Sequence, residues 1–195
     1  MAQSVCKIKK VQKMNIPLFE TAPDFDQPIA VLKHCHDRIR KQIKTMQNLV
    51  RHTPKSGRDI DMQQAAHAVL RYFDNAAPNH HADEEHDLLP MLQSTATDED
   101  AILLASLVPE IMQEHEHMDA AWAVLDQQLQ KIASGTSDEL SVSDVTRFAE
   151  LYAAHMEKEE TQIAPMAKRL FSIEQMHQLG NAMRARRGIA ATTEQ

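Results

Sequence analysis

Glycine and aromatic residues are scarce in this chain of 195 residues: four glycines, and 4% phenylalanine, tryptophan and tyrosine together. Strands draw on β-branched and aromatic side chains and tight hairpins on glycine, so the composition argues against a β-rich fold. Only two cysteines are present, Cys6 and Cys35, too few for a disulfide framework. A long basic tract is missing and the net charge is -7, so nucleic acid is not an expected partner. No apolar run approaches the length of a membrane span, and the opening MAQSVCKIKKVQK lacks an apolar signal region. A cytoplasmic protein is the expectation. What the chain does have is plenty of Ala, Leu, Gln, Glu, Met and Lys, which lose little rotamer freedom in a helix. It also has 11 histidines, several of them beside acidic residues.

The pattern predicts an all-α fold: an antiparallel up-down four-helix bundle over residues 27–170, preceded by an arm at 1–26 and followed by an extra helix and tail at 171–195. In the arm, Lys7, Lys9, Lys10 and Lys13 alternate with Val11, Met14 and Ile16 before Pro17 and Pro23 break the pattern, which reads as a loosely docked tail. Pro28 suits the first residue of a helix running to about His52, before a Pro54/Gly57 loop. Asp59 or Asp61 starts a second helix, which Pro78 should kink or interrupt. Thr97 or Asp98 caps a short helix, Pro109 reads as the opening of the third long helix, and Ser134-Gly135 as its end. Ser141 with Asp144 opens the fourth, and Ser172 with Gln175 the last, which closes near Gly188. Short connections imply antiparallel neighbours.

A bundle core recurs with steps of three and four residues. On the first helix that stripe is Ile29, Leu32, His36, Ile39, Ile43, Met46 and Val50; on the third it is Val108, Ile111, His115, Met118, Trp122 and Leu125. The second gives Val69, Phe73, Ala77, His80, Glu84 and Leu88; the fourth gives Phe148, Tyr152, His155, Glu159 and Met166. Each stripe is apolar except at one level, where it carries His, His-Glu, His and His-Glu. An ionised carboxylate in an apolar interior costs several kcal/mol or more without a compensating charge. Two glutamates in one core also repel each other, so cations are expected between them. Imidazole nitrogen with carboxylate oxygen suits iron, zinc or manganese.

His80 and Glu84 are four apart and share one helix face, as do His155 and Glu159. The surroundings repeat as well: His-x-x-x-Glu-Glu-x-x-Leu-x-Pro at 80–90 recurs as His-x-x-x-Glu-Glu-x-x-Ile-x-Pro at 155–165. One such pair is a weak signal, but two on core stripes, joined by core histidines on the other helices, are specific. Four histidines and two glutamates exceed one ordinary site. Divided between two ions they give each two imidazoles, with both carboxylates free to bridge. Iron is preferred because zinc has no redox chemistry to use an open pair.

At HCHDRI around His36, HHADEEHDLLP around His80 and Glu84, EHEHMDAAW around His115 and HMEKEETQIAP around His155 and Glu159, the chain resembles the hemerythrin family, in its bacterial cation-binding HHE branch. The resemblance covers roughly residues 26–170. It implies a non-haem di-iron centre in a four-helix bundle, with the two glutamates as carboxylate bridges. An oxo or hydroxo bridge between the two Fe ions would offset more of their charge. The chain departs from oxygen-carrying hemerythrins, which place two ligating histidines four apart in the third helix; here the position four after His115 is Asp119. The expected function is therefore binding or sensing of O2, nitric oxide or iron at that centre. The alternative is a di-iron enzyme acting on peroxide or nitric oxide.

Other candidates rank lower. His81 with Glu85 is the same motif shifted by one residue, and both the internal repeat and the core stripe choose His80 with Glu84. Glu85 and Glu160 read equally as partners orienting a ligand histidine and as solvated helix positions. His34, His86 and His117 lie two residues off their stripes and read as surface groups; His52, His67 and His177 have no supporting context. Asp119 reads as a salt-bridge or outer residue, and Cys35 as a structural thiol. For Tyr152 core packing competes with donation to a bound ligand. Glu114 and His117 have the Glu-x-x-His spacing of ferritin-like oxidases but lie off the stripe.

Overall fold

The computed structural model describes residues 23–52 and 59–190; within them the secondary structure is entirely helical. The lysine-rich part of the N-terminal arm with Cys6, and the Pro54/Gly57 loop, lie outside the described residues. Helix α1 spans Pro28–Arg51 with its proline in the first turn, and α2 spans Ile60–Asp83 with Asp59 accepting from the Met62 N–H as its cap. A short α3, Leu89–Thr95, continues α2 after one widened turn. Helix α4 runs Asp98–Ala133, followed by Gly135 at φ 70°. Helix α5, Val142–Lys158, is capped by Ser141 and is continued by α6, Ala164–Leu170. The last helix, α7, spans Ile173–Arg186 and begins with a reciprocal Ser172–Gln175 capping box.

Four of these pack in a ring: α1 on α2, α2 on α4, α4 on α5 and α5 on α1. At one end of the α4–α5 pair Gln128 donates to Asp144, and at the other Arg169 donates to Asp100, so the two helices run in opposite directions. The same follows for α1 and α2 from the His52–Asp59 and His36–His80 contacts.

One proline departs from the sequence expectation, and a second leaves its helix uninterrupted. Pro109 does not open a helix but lies inside α4, and Pro78 does not interrupt α2. In each case the proline and the residue four before it, Ala105 or Asp74, are exposed. The carbonyl left without its N–H partner therefore faces water, which removes most of the cost of a buried break.

The interior divides into two apolar clusters. One is built around Ile39, Met46, Val69, Phe73, Leu125 and Phe148; the other around Leu32, Leu89, Leu92, Leu104, Ile163 and Leu179. The layer of histidines and glutamates lies between them. Helix α7 covers α1, α2 and the widened turn after α2. Its Gly180 admits the backbone of Phe25, since a Cβ there would meet the Phe25 carbonyl oxygen at 2.1 Å. Arg184 donates to Asp24 and Asp26, so the last residues of the N-terminal arm are pinned to α7.

Candidate metal centre

The six residues singled out on the core stripes meet at one level: His36 from α1, His80 and Glu84 from α2 and its end, His115 from α4, and His155 and Glu159 from α5 and its end. All are between 1% and 4% exposed. The regular helix changes at each glutamate. After Glu84 the Leu89 N–H bonds back to the Glu84 carbonyl, and after Glu159 the Ala164 N–H bonds to the Glu159 carbonyl, each making a five-residue π turn. A proline follows both turns, Pro90 and Pro165. Lacking an N–H, it cannot hold the α register, which favours the wider turn. The repeated Glu-Glu-x-x-Leu/Ile-x-Pro is thus a signature of two matched π turns, a signal that the helical periodicity alone does not carry.

The ligand atoms crowd closely. His36 Nε2 is 3.0 Å from Glu159 Oε2, and His155 Nε2 is 3.5 Å from the same oxygen. His115 Nε2 is 3.5 Å from Glu84 Oε2 and only 3.3 Å from His155 Nε2. His80 Nε2 sits 3.1 Å from Glu84 Oε1 but off the hydrogen-bond direction; both its ring nitrogens, Glu84 Oε2 and Glu159 Oε1 are buried without a hydrogen bond. Orphaned polar atoms of this kind are expensive in an apolar core. One nitrogen of His80 lies with oxygens of Glu84 and Glu159 in a group whose ligand atoms are within 4.8 Å of one another, which fits a cation.

Three of the four rings are held from behind by a carboxylate. His36 Nδ1 donates to Glu160 at 2.9 Å, His115 Nδ1 to Glu85 at 2.5 Å, and His155 Nδ1 to Glu114 at 3.1 Å. Such a bond fixes the ring and leaves the Nε2 lone pair for a metal. These outer carboxylates are themselves anchored, Glu160 by Arg40 at 2.8 Å and Glu114 by Lys158 at 2.7 Å. The solvated reading of Glu85 and Glu160 is therefore set aside. Glu114, off the α4 stripe, was missed as an orienting group because its partner belongs to the neighbouring helix.

Electrostatics without cations are strained. Burial pushes Glu84 well above the usual carboxylate range, and the charge of Glu159 adds to it. Glu159 is desolvated too, but the positive histidines His155 and His36 outweigh this and hold it low. His36 and His155 are raised despite burial, His36 by its hydrogen bond to Glu159 and His155 by the Glu159 charge. His80 is pushed well down by burial and by His36. The two carboxyls are thus driven in opposite directions while two imidazoles are drawn towards their charged form; metal cations would satisfy the same groups.

The rings fall into two groups that share both carboxylates: His36, His80, Glu84 and Glu159, and then Glu84, His115, His155 and Glu159, with the ligand atoms of each group within 4.8 Å of one another. Residues 27–167 match the family described as the hemerythrin HHE cation binding domain. The chain belongs to this family. The chain is 27% identical over 165 residues, 85% of its length and 92% of the relative's, to a Haemophilus influenzae protein named only as an uncharacterized protein. Membership makes metal-cation binding the domain's property, and the buried His/Glu clusters are compatible with it.

Other sequence candidates find plain places. His86, His117 and Asp119 are exposed, and Cys35 is a buried free thiol. His81 is the surprise. It is buried, stacks on His115 at 4.1 Å with rings 5° from parallel, and has its Nε2 3.5 Å from the Tyr152 hydroxyl. Burial, helped by the neighbouring His115, lowers it to about 3, so it packs as a neutral ring. No described helix of the HHE domain is long and apolar enough to cross a membrane.

Proposed function

We propose that the domain holds two iron ions, one by His36 and His80 and the other by His115 and His155, with Glu84 and Glu159 common to both. The observation that carries this reading is the sharing: two histidine pairs converge on the same two buried carboxylates, each of which keeps one oxygen without a hydrogen bond. One ion would leave half of those nitrogens without a charge to face. Two imidazoles with carboxylate oxygen is a donor set that suits non-haem ferrous iron and leaves coordination positions open. Bound there, an iron pair supplies redox chemistry and open sites for a small ligand such as O2 or nitric oxide. The protein's part is to hold the imidazoles through Glu85, Glu114 and Glu160 and to flank the site with an apolar cluster on either side. Binding or sensing of such a ligand is the function this supports. Metal analysis of protein from iron-replete cells should give two irons per chain. One ion per chain, or stoichiometric zinc, sinks the reading, as does a Glu84→Ala variant that keeps both ions.

A further inference from the structure

A cavity of about 290 Å³ leads from the surface between α1 and the second π turn down to His36, Glu84 and Glu159. Its walls are apolar, with Ile29, Leu32, Leu88 and Ile163. Two exposed lysines, Lys33 and Lys168, line it, and neither has a carboxylate partner among the described residues. Glu160 also lines it, but its charge is already met by Arg40 and His36. The rim therefore carries two uncompensated positive charges over low-dielectric walls, an arrangement that focuses field and raises the local concentration of anions. A water's share of liquid is about 30 Å³, so the space exceeds what a diatomic molecule requires. Two divalent ions shared by two carboxylates would also retain net positive charge at the cavity floor.

We propose that this cavity is the route by which a small monovalent anion of the azide or nitrite class reaches the metal pair, with Lys33 and Lys168 drawing it in. This rests on the di-iron reading, and iron per chain, measured first, tests that reading separately. Stopped-flow binding of azide to the oxidised, iron-loaded protein is then compared with nitric oxide binding to the reduced protein. In Lys33→Glu/Lys168→Glu, azide association should fall about ten-fold at an ionic strength of about 0.01 M. The difference should close at about 1 M, where the Debye length shrinks to about 3 Å. Nitric oxide, being neutral, should bind at the unaltered rate. Lys44→Glu/Lys131→Glu makes the same change in net charge away from the cavity and should behave as the parent does. Ala164→Trp, which fills the cavity, should slow both ligands. Equal azide rates in the two lysine pairs overturn the steering, and unchanged rates in Ala164→Trp overturn the route. Fewer than two irons in the parent protein overturns the underlying reading instead.

Discussion

Replacing Arg186 and Arg187 together by methionine would leave Asp83 as a fully buried carboxylate with no cation beside it. Asp83 is 0% exposed, and both guanidinium groups donate to it, Arg187 through Nη1 at 3.1 Å and Nη2 at 2.6 Å. Arg186 also reaches Asp87 at 2.5 Å, inside the π turn that begins with Glu84. Removing the partner of a buried charge costs about 3–5 kcal/mol, because the remaining charge is neither solvated nor paired. Against a typical total of roughly 5–15 kcal/mol this is a large share. For a chain of this size it corresponds to a fall in Tm of about 6–20 °C, at 2–4 °C per kcal/mol. The opposite deletion should cost less. In Asp83→Asn the two arginines, with side chains 20% and 18% exposed, can turn to water. Adding Asp83→Asn to the arginine pair should recover much of the loss, since the orphaned charge is then gone. Thermal and denaturant unfolding of the metal-free protein, followed by circular dichroism, measure all three variants. A double-arginine variant within about 1 kcal/mol of the parent, or no recovery in the triple variant, would refute the argument. The same variants should release metal faster, because Asp83 adjoins Glu84.

Three further outcomes are expected. His81→Phe should keep its full metal content, while His81→Ala should cost about 2–5 kcal/mol by opening a hole beside His115; metal loss in the phenylalanine variant would make His81 a ligand. Because the folded chain lowers His81 from 6.5 to about 3, the unfolded state binds the extra proton between those values. Stability contributed by its neutrality is present above 6.5 and falls with acid by up to about 1.4 kcal/mol per pH unit, a slope that His81→Phe should flatten in the metal-free protein. Metal loading should release protons, because His36, His155 and Glu84 are all raised in the metal-free protein. Affinity then increases with pH, by roughly ten-fold per unit for each proton displaced; titration calorimetry in buffers of different ionisation enthalpy reads that number, and zero release contradicts the charge assignment. Burial pushes the Cys35 thiol up to about 11. Its alkylation at pH 8, followed on its own peptide by mass spectrometry, should run about a hundred-fold or more slower in the native than in the unfolded protein, and comparable rates would show the thiol accessible.

The sequence alone was enough for the helical class, the main helix caps and the layer of interruptions in the apolar stripes. These depend on local chemistry: a serine or aspartate that caps its own turn, and a period of three and four that aligns His36, His80, Glu84, His115, His155 and Glu159 on inward faces. What lay beyond it depended on which helix lies alongside which. Glu114 looks like a surface residue on its own helix and becomes a histidine anchor only because α5 passes beside it. His81 is off its stripe yet is buried against His115, and Pro109 sits within a helix because its unpaired carbonyl faces water. The RARRG segment near the C-terminus had no readable role, since a run of arginines says nothing about its anions until folding brings Asp24, Asp26, Asp83 and Asp87 to it from distant parts of the chain. Periodicity reports which way a side chain faces; only the packed structure decides what it meets there.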